Sequence, residues 1–96
     1  MIRVLCVNSN IKLLTKMESV VKEILPSSDV NKEEKISLND VKKLKPHIML
    51  LSSELENFKI VKQMNDEDIK SIVIFLGDEK VEAYDAIKAH AKGVIL

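Results

Sequence analysis

Four short runs, "IRVLCV" (2–7), "HIMLL" (47–51), "SIVIFL" (71–76) and "GVIL" (93–96), constrain this chain more than any other feature. Each is rich in β-branched or aliphatic residues, and apart from Arg3 and His47 their apolar character falls on both faces. A strand that is apolar on both faces must be covered on both faces, which is the pattern of a parallel sheet enclosed by helices. The segments between the runs change period. From Ile11, the positions Leu14, Met17, Val21 and Ile24, flanked by Leu13, Val20 and Leu25, follow helical spacing, with Asn10 placed as N-cap and Pro26 closing the helix.

"SLNDVKKLK" opens on Ser37, with Asp40 three residues on. This is close to a capping box, and Leu38, Val41 and Leu44 then form a short apolar stripe ended by Pro46. "NFKIVKQM" places Phe58, Val61 and Met64 on one helical face, and "EKVEAYDAIKAHA" (79–91) does the same with Val81, Tyr84, Ile87 and Ala91. "SSDVNKEEKI" carries the weakest pattern and is read as a short edge strand around Asp29 to Asn31 followed by a polar loop. The resulting order, β-α-β-α-β-α-β-α-β, predicts an α/β domain with a mostly parallel, doubly wound sheet and right-handed crossovers, spanning residues 1–96 as one unit.

Composition narrows the functional classes. Fifteen basic residues balance fifteen acidic ones, mixed along the chain, so nothing points to a nucleic-acid surface. With 3% aromatic and 46% apolar residues, the core is aliphatic. One cysteine cannot form an internal disulfide, no export signal is evident, and no apolar stretch approaches the roughly 20 residues that span a bilayer; a reducing, cytoplasmic setting is expected. Cys6 reads as a small buried hydrophobe, and His47 and His90 lack the spacing of zinc ligands.

In parallel sheets of this kind the reactive site lies where the C-terminal ends of the strands open at the topological switch point. Here that edge gathers Asn8, Ser9, Asn10, Ser52, Ser53, Glu54, Gly77 and Asp78. The plainest reading of the serines is a polar turn leaving a strand, with a hydroxyl capping the next helix. Asn8, Ser9 and Asn10 are in the same way most simply a helix-starting turn.

"IRVLCVNSN", "KPHIMLLS", "IVIFLGD" and "AIKAHAKGVIL" together resemble the receiver domain of bacterial response regulators over the whole chain. The "KP" before the third strand and the "AKG" before the fifth are the most specific of these matches. The resemblance implies a flavodoxin-like five-stranded sheet of order 2-1-3-4-5. It also implies a set of reactive positions that are changed here. The magnesium-holding acidic doublet falls on Asn8 and Ser9, the phosphoacceptor aspartate on Ser52 (or on Ser53 after a one-residue slip), and the switch positions on Gly77 and Val94. The family's lysine would follow Leu96.

The loop after Ser52 is shorter than the family's. A fifth helix, which the resemblance places beside the first, is missing, so a partner, a second copy or a further C-terminal segment is expected to cover that face. The leading expectation is a phosphorylation-independent, degenerate receiver that is not an enzyme and works by protein contact or homodimerisation through Tyr84, Ile87, Val94 and Ile95. It would form the regulatory part of a transcription regulator, with no metal, cofactor, small-molecule substrate, membrane or direct nucleic-acid partner. The alternatives are a residual metal-dependent phosphoacceptor using Ser52, Glu54 and Asp78, and a self-assembly module or fragment with an open sheet face.

Overall fold

A computed structural model of the chain describes residues 1–76 and 93–95. The expected fourth helix (79–91), Gly77, Asp78, Tyr84, Ile87 and His90, and the side chains of Val94 and Ile95, lie outside the described residues.

Strand β1 (Arg3–Val7) takes an inner position because Val4, Leu5, Cys6 and Val7 are all apolar and all buried. Its neighbours are β2 (Asp29–Glu33) on one side and β3 (Ile48–Ser52) on the other, followed by β4 (Ile72–Leu76) and β5 (Gly93–Ile95). All pairings are parallel, and the order β2-β1-β3-β4-β5 is the one expected. The edge strand runs two residues further than its sequence pattern predicts, to Glu33, because Leu5, Cys6 and Val7 of β1 offer a complete ladder to Asn31, Lys32 and Glu33. Pairing to a buried neighbour overrides the weak intrinsic signal of a polar segment.

Helix α1 (Ile11–Ile24) crosses from β1 outward to β2, whereas α2 (Leu38–Leu44) and α3 (Leu55–Asp66) belong to crossings in the opposite direction. Right-handed crossovers therefore put α1 on one face of the sheet and α2 and α3 on the other. Both predicted caps form. Asn10 Oδ1 accepts from the N–H groups of Lys12 and Leu13, and Ser37 and Asp40 complete a reciprocal capping box at α2. Lys45, in the left-handed region at φ 48°, ends α2 and returns its N–H to the Val41 carbonyl.

The two faces are unequally covered. On the α2 and α3 side, Leu5, Val7, Met49, Leu51, Val73 and Phe75 pack against Val41, Phe58, Val61 and Met64 in one continuous core. Phe58 and Phe75 meet there in a tilted ring pair with centroids 4.6 Å apart. On the other side, Leu14, Met17 and Val21 of α1 cover Val4 and Cys6, while Ile48, Leu50 and Leu76 are only partly buried. The apolar character of β3 and β4 predicts cover on both faces. Among the described residues α1 alone lies on this one, and it sits over β1 and β2.

Helix α1 itself departs from its pattern. Leu13 (48%), Val20 (46%) and Ile24 (71% exposed), which share the helical apolar spacing, remain at the surface beside a groove of about 700 Å³ floored by Ile48, Leu50, Ile74 and Leu76.

Candidate functional site

The parallel register brings the ends of β1, β3 and β4 level: Val7 pairs with Leu51 and Ser52 with Leu76. The residues that follow these strands therefore assemble into one polar edge, as the sequence predicts for Asn8, Ser9, Asn10, Ser52, Ser53 and Glu54.

Asn8 is buried, and its hydrogen-bonding groups are committed internally. Its N–H donates to the Glu33 carbonyl at 3.2 Å, and its Oδ1 accepts from the Asn10 N–H at 2.8 Å. Its Nδ2 lies 3.9 Å from the Met17 sulfur, a weak contact. The Asn8 side chain thus folds back over the turn that starts α1, and Asn10 finishes the task by capping the helix. Ser9 is exposed and donates its hydroxyl to Glu54 Oε1 at 3.1 Å, tying the β1 turn to the β3 turn.

The two serines have different roles. Ser53 donates both its N–H (3.1 Å) and its hydroxyl (2.8 Å) to the carbonyl of Leu76, so it fastens the end of β3 to the end of β4 instead of capping α3. Glu54 is the N-cap residue of α3, without a side-chain cap bond. Only Ser53 and Glu54 separate β3 from α3, so the loop is as tight as expected, and the Glu54 N–H reaches back to the Ser52 carbonyl at 2.9 Å.

Ser52 is held by a residue the sequence reading overlooked. Asn57, 4% exposed, donates its side-chain amide to the Ser52 carbonyl at 2.9 Å and to the Ser52 hydroxyl at 3.1 Å. A signal for it exists. Asn57, Val61 and Met64 stand at i, i+4 and i+7, so Asn57 interrupts the apolar stripe of α3, and a polar residue there must find a partner inside the fold.

The magnesium ion implied by the resemblance finds a poor donor set. A hard divalent ion is normally anchored by one or two carboxylates in near-octahedral oxygen geometry. Here Glu54 is the single carboxylate among Asn8, Ser9, Asn10, Ser52, Ser53 and Glu54. The Asn8 oxygen is engaged by Asn10, and no group of three His, Cys, Asp or Glu side chains among the described residues could hold a metal. The described residues do not fit the ion. No Lys or Arg side chain among the described residues donates to the edge's side chains, so the preorganised positive charge on which phosphoryl transfer depends is also missing from this set.

Comparison with solved structures places this geometry. A LuxR-family DNA-binding response regulator from Staphylococcus aureus superposes with a TM-score of 0.82 at 10% identity, over 100% of this chain and 86% of that one. The fold is that of a receiver domain. The beryllofluoride-activated N-terminal receiver domain of Klebsiella pneumoniae RstA gives 0.82 at 15% identity (98% of this chain, 84% of that one), and the Vibrio cholerae chemotaxis protein CheY4 gives 0.79 at 13% (100% and 86%). No family model matches the chain, and no curated protein matches it in sequence. At these identities the likeness establishes the receiver fold, while the polar edge just described belongs to this chain's own residues.

Proposed function

We propose that this chain is a signalling domain of receiver fold that acts by protein contact and does not use phosphoryl transfer. The observation that carries the reading is how the described residues of the edge satisfy one another. Asn57 holds Ser52, the Leu76 carbonyl takes both Ser53 donors, and Asn8 is turned into its own loop. Neither serine is paired with a general base: an amide donates to Ser52 and a backbone carbonyl accepts from Ser53, so neither hydroxyl is an activated nucleophile.

The contact partner we infer is a second copy of the chain. Leu13, Val20 and Ile24 form a ridge on α1 directly beside the groove of about 700 Å³. A ridge next to a groove is what an isologous two-fold interface requires, since each copy can fill the other's groove. Tyr84, Ile87, Val94 and Ile95 are the second candidate surface. The neighbouring DNA-binding regulator supports a place as the regulatory part of a transcription regulator in the cytoplasm, with nucleic acid contacted elsewhere in that assembly. No helix among the described residues is long and apolar enough to cross a membrane.

The test is incubation with acetyl phosphate and magnesium followed by intact mass analysis, paired with sedimentation over a concentration series with and without beryllofluoride. The reading expects no phosphoryl adduct and a monomer–dimer equilibrium indifferent to both additives. A magnesium-dependent adduct would instead establish a residual phosphoacceptor using Ser52, Glu54 and Asp78.

A further inference from the structure

The opposite edge of the sheet, at the N-terminal ends of β1, β3 and β4, holds a cavity of about 800 Å³ that the receiver reading does not use. Four basic side chains line it, from three parts of the chain: Arg3 from β1, Lys42 and Lys45 from the last turn and cap of α2, and Lys70 from the connection between α3 and β4. Val41, Pro46, Ile69 and Ile72 supply an apolar wall.

The C-terminal carbonyls of α2 account for part of this charge, because cations near a helix C-terminus are favoured. They do not account for Lys70, which comes from another connection, and they use only one of the five N–H donors of Arg3. Arg3 Nε donates to the Lys45 carbonyl at 2.8 Å, which fixes the guanidinium against the helix end and leaves its terminal nitrogens uncommitted to that bond. Lys42 is engaged by Glu67 at 2.7 Å. Among the described residues no carboxylate forms an ion pair with Arg3, Lys45 or Lys70. In a chain of zero net charge, three such basic residues lining one concavity create a local positive potential that an anion would relieve.

A second, independent observation lies in the same wall. The Ser71 hydroxyl is buried without a hydrogen-bond partner, the one such side-chain atom among the described residues. A buried hydroxyl is destabilising unless something accepts its proton, and a turn about χ1 within the staggered set would offer it to a ligand oxygen. At the rim, the backbone N–H of Arg3 donates to His47 Nδ1 at 2.9 Å.

We propose that this edge is a binding site for a small organic phosphate. Arg3, Lys45 and Lys70 hold the anionic head, Ser71 donates to it, and Pro46, Ile69 and Ile72 meet the carbon body. The volume falls within the range of small-molecule sites. No Phe, Tyr or Trp is among the lining residues, so a stacked nucleobase is not the favoured body. The site is independent of the polar edge at the other end of the strands.

The experiment is amide NMR titration of the full chain with phenyl phosphate, inorganic phosphate and potassium sulfate at matched ionic strength. The expected result is saturable shifts centred on Arg3, Lys45, His47 and Ser71 with phenyl phosphate. Inorganic phosphate, which gains nothing from the apolar wall, should bind more weakly at the same amides. Lys45→Glu with Lys70→Glu should weaken phenyl phosphate at least about tenfold, the scale of one lost charge-assisted bond, while far-ultraviolet dichroism and melting stay those of the parent chain. Ser71→Ala reads the hydroxyl alone and should weaken binding without loss of fold. Non-saturating shifts, equal response to sulfate, shifts spread over lysines generally, or binding unchanged in the double variant would each overturn the site. So would binding of heparin with none of phenyl phosphate.

Discussion

The side-chain amide of Asn57 donates to two oxygens of Ser52 at once, the carbonyl at 2.9 Å and the hydroxyl at 3.1 Å. One residue of α3 thereby closes the end of β3 at the position where the resemblance implies an aspartate.

Removing that amide should be felt globally. Asn57→Ala removes both hydrogen bonds to the half-buried Ser52 and is expected to lower stability by about 1–3 kcal/mol. Asn57→Asp replaces a donor by an acceptor facing the Ser52 carbonyl and should be worse. Urea unfolding midpoints at neutral pH measure both, and an Asn57→Ala chain as stable as the parent would show that the pair contributes nothing.

Restoring the carboxylate alone should not restore chemistry. In Ser52→Asp, the new side chain would meet Asn57 but would still face Asn8 and Ser9 in place of two acids. Without a magnesium-holding pair, acetyl phosphate is expected to give no adduct by intact mass; efficient labelling of the single variant would show that the edge binds metal after all.

Cys6 makes stability fall at alkaline pH. Burial first, and Glu18 second, push its thiol from the ordinary 9.0 up to about 11, with Lys32 acting in the opposite sense. The folded state therefore keeps the proton after the unfolded chain has lost it. This contribution is complete below about pH 9 and lost as pH rises through about 11, an effect on the order of 3 kcal/mol. Cys6→Ala should lose that share of the slope in urea titrations across the window. In the parent, Cys6 should resist iodoacetamide until the chain unfolds.

The start of α1 depends on one side chain. Asn10→Ala removes the acceptor of the Lys12 and Leu13 N–H groups and should lower stability by about 1 kcal/mol, whereas Asn10→Ser should retain most of it. Thermal melts of the two variants decide the matter by their difference.

If two copies meet through α1, Val20→Lys with Ile24→Glu should abolish concentration-dependent mass in sedimentation. These side chains are already exposed, so stability should change by only about 0.5 kcal/mol. An unchanged dimer would move the interface to the Tyr84, Ile87, Val94 and Ile95 surface.

Sequence determined the elements because their signals are local. The two-sided apolar runs of β1, β3 and β4, the Asn10 cap and the Ser37–Asp40 box each depend on residues a few positions apart, and each appears where its pattern places it. The strand order was implied by the receiver-domain resemblance, since right-handed parallel crossovers allow other doubly wound orders as well. The polar edge, like the elements, was legible as a set of positions.

Tertiary structure alone decided what those positions do. That Ser53 bonds the Leu76 carbonyl, Ser9 bonds Glu54 and Asn57 bonds Ser52 follows from the register between strands and from the two-residue connection between β3 and α3. It also decided which apolar residues are core. Leu13, Val20 and Ile24 share the helical pattern of Leu14, Met17 and Val21, yet they stay at the surface because α1 settles over β1 and β2 and no other helix among the described residues covers the flank toward β3 and β4. Periodicity records that a helix has an apolar stripe; how much of that stripe is buried depends on what the rest of the fold brings against it.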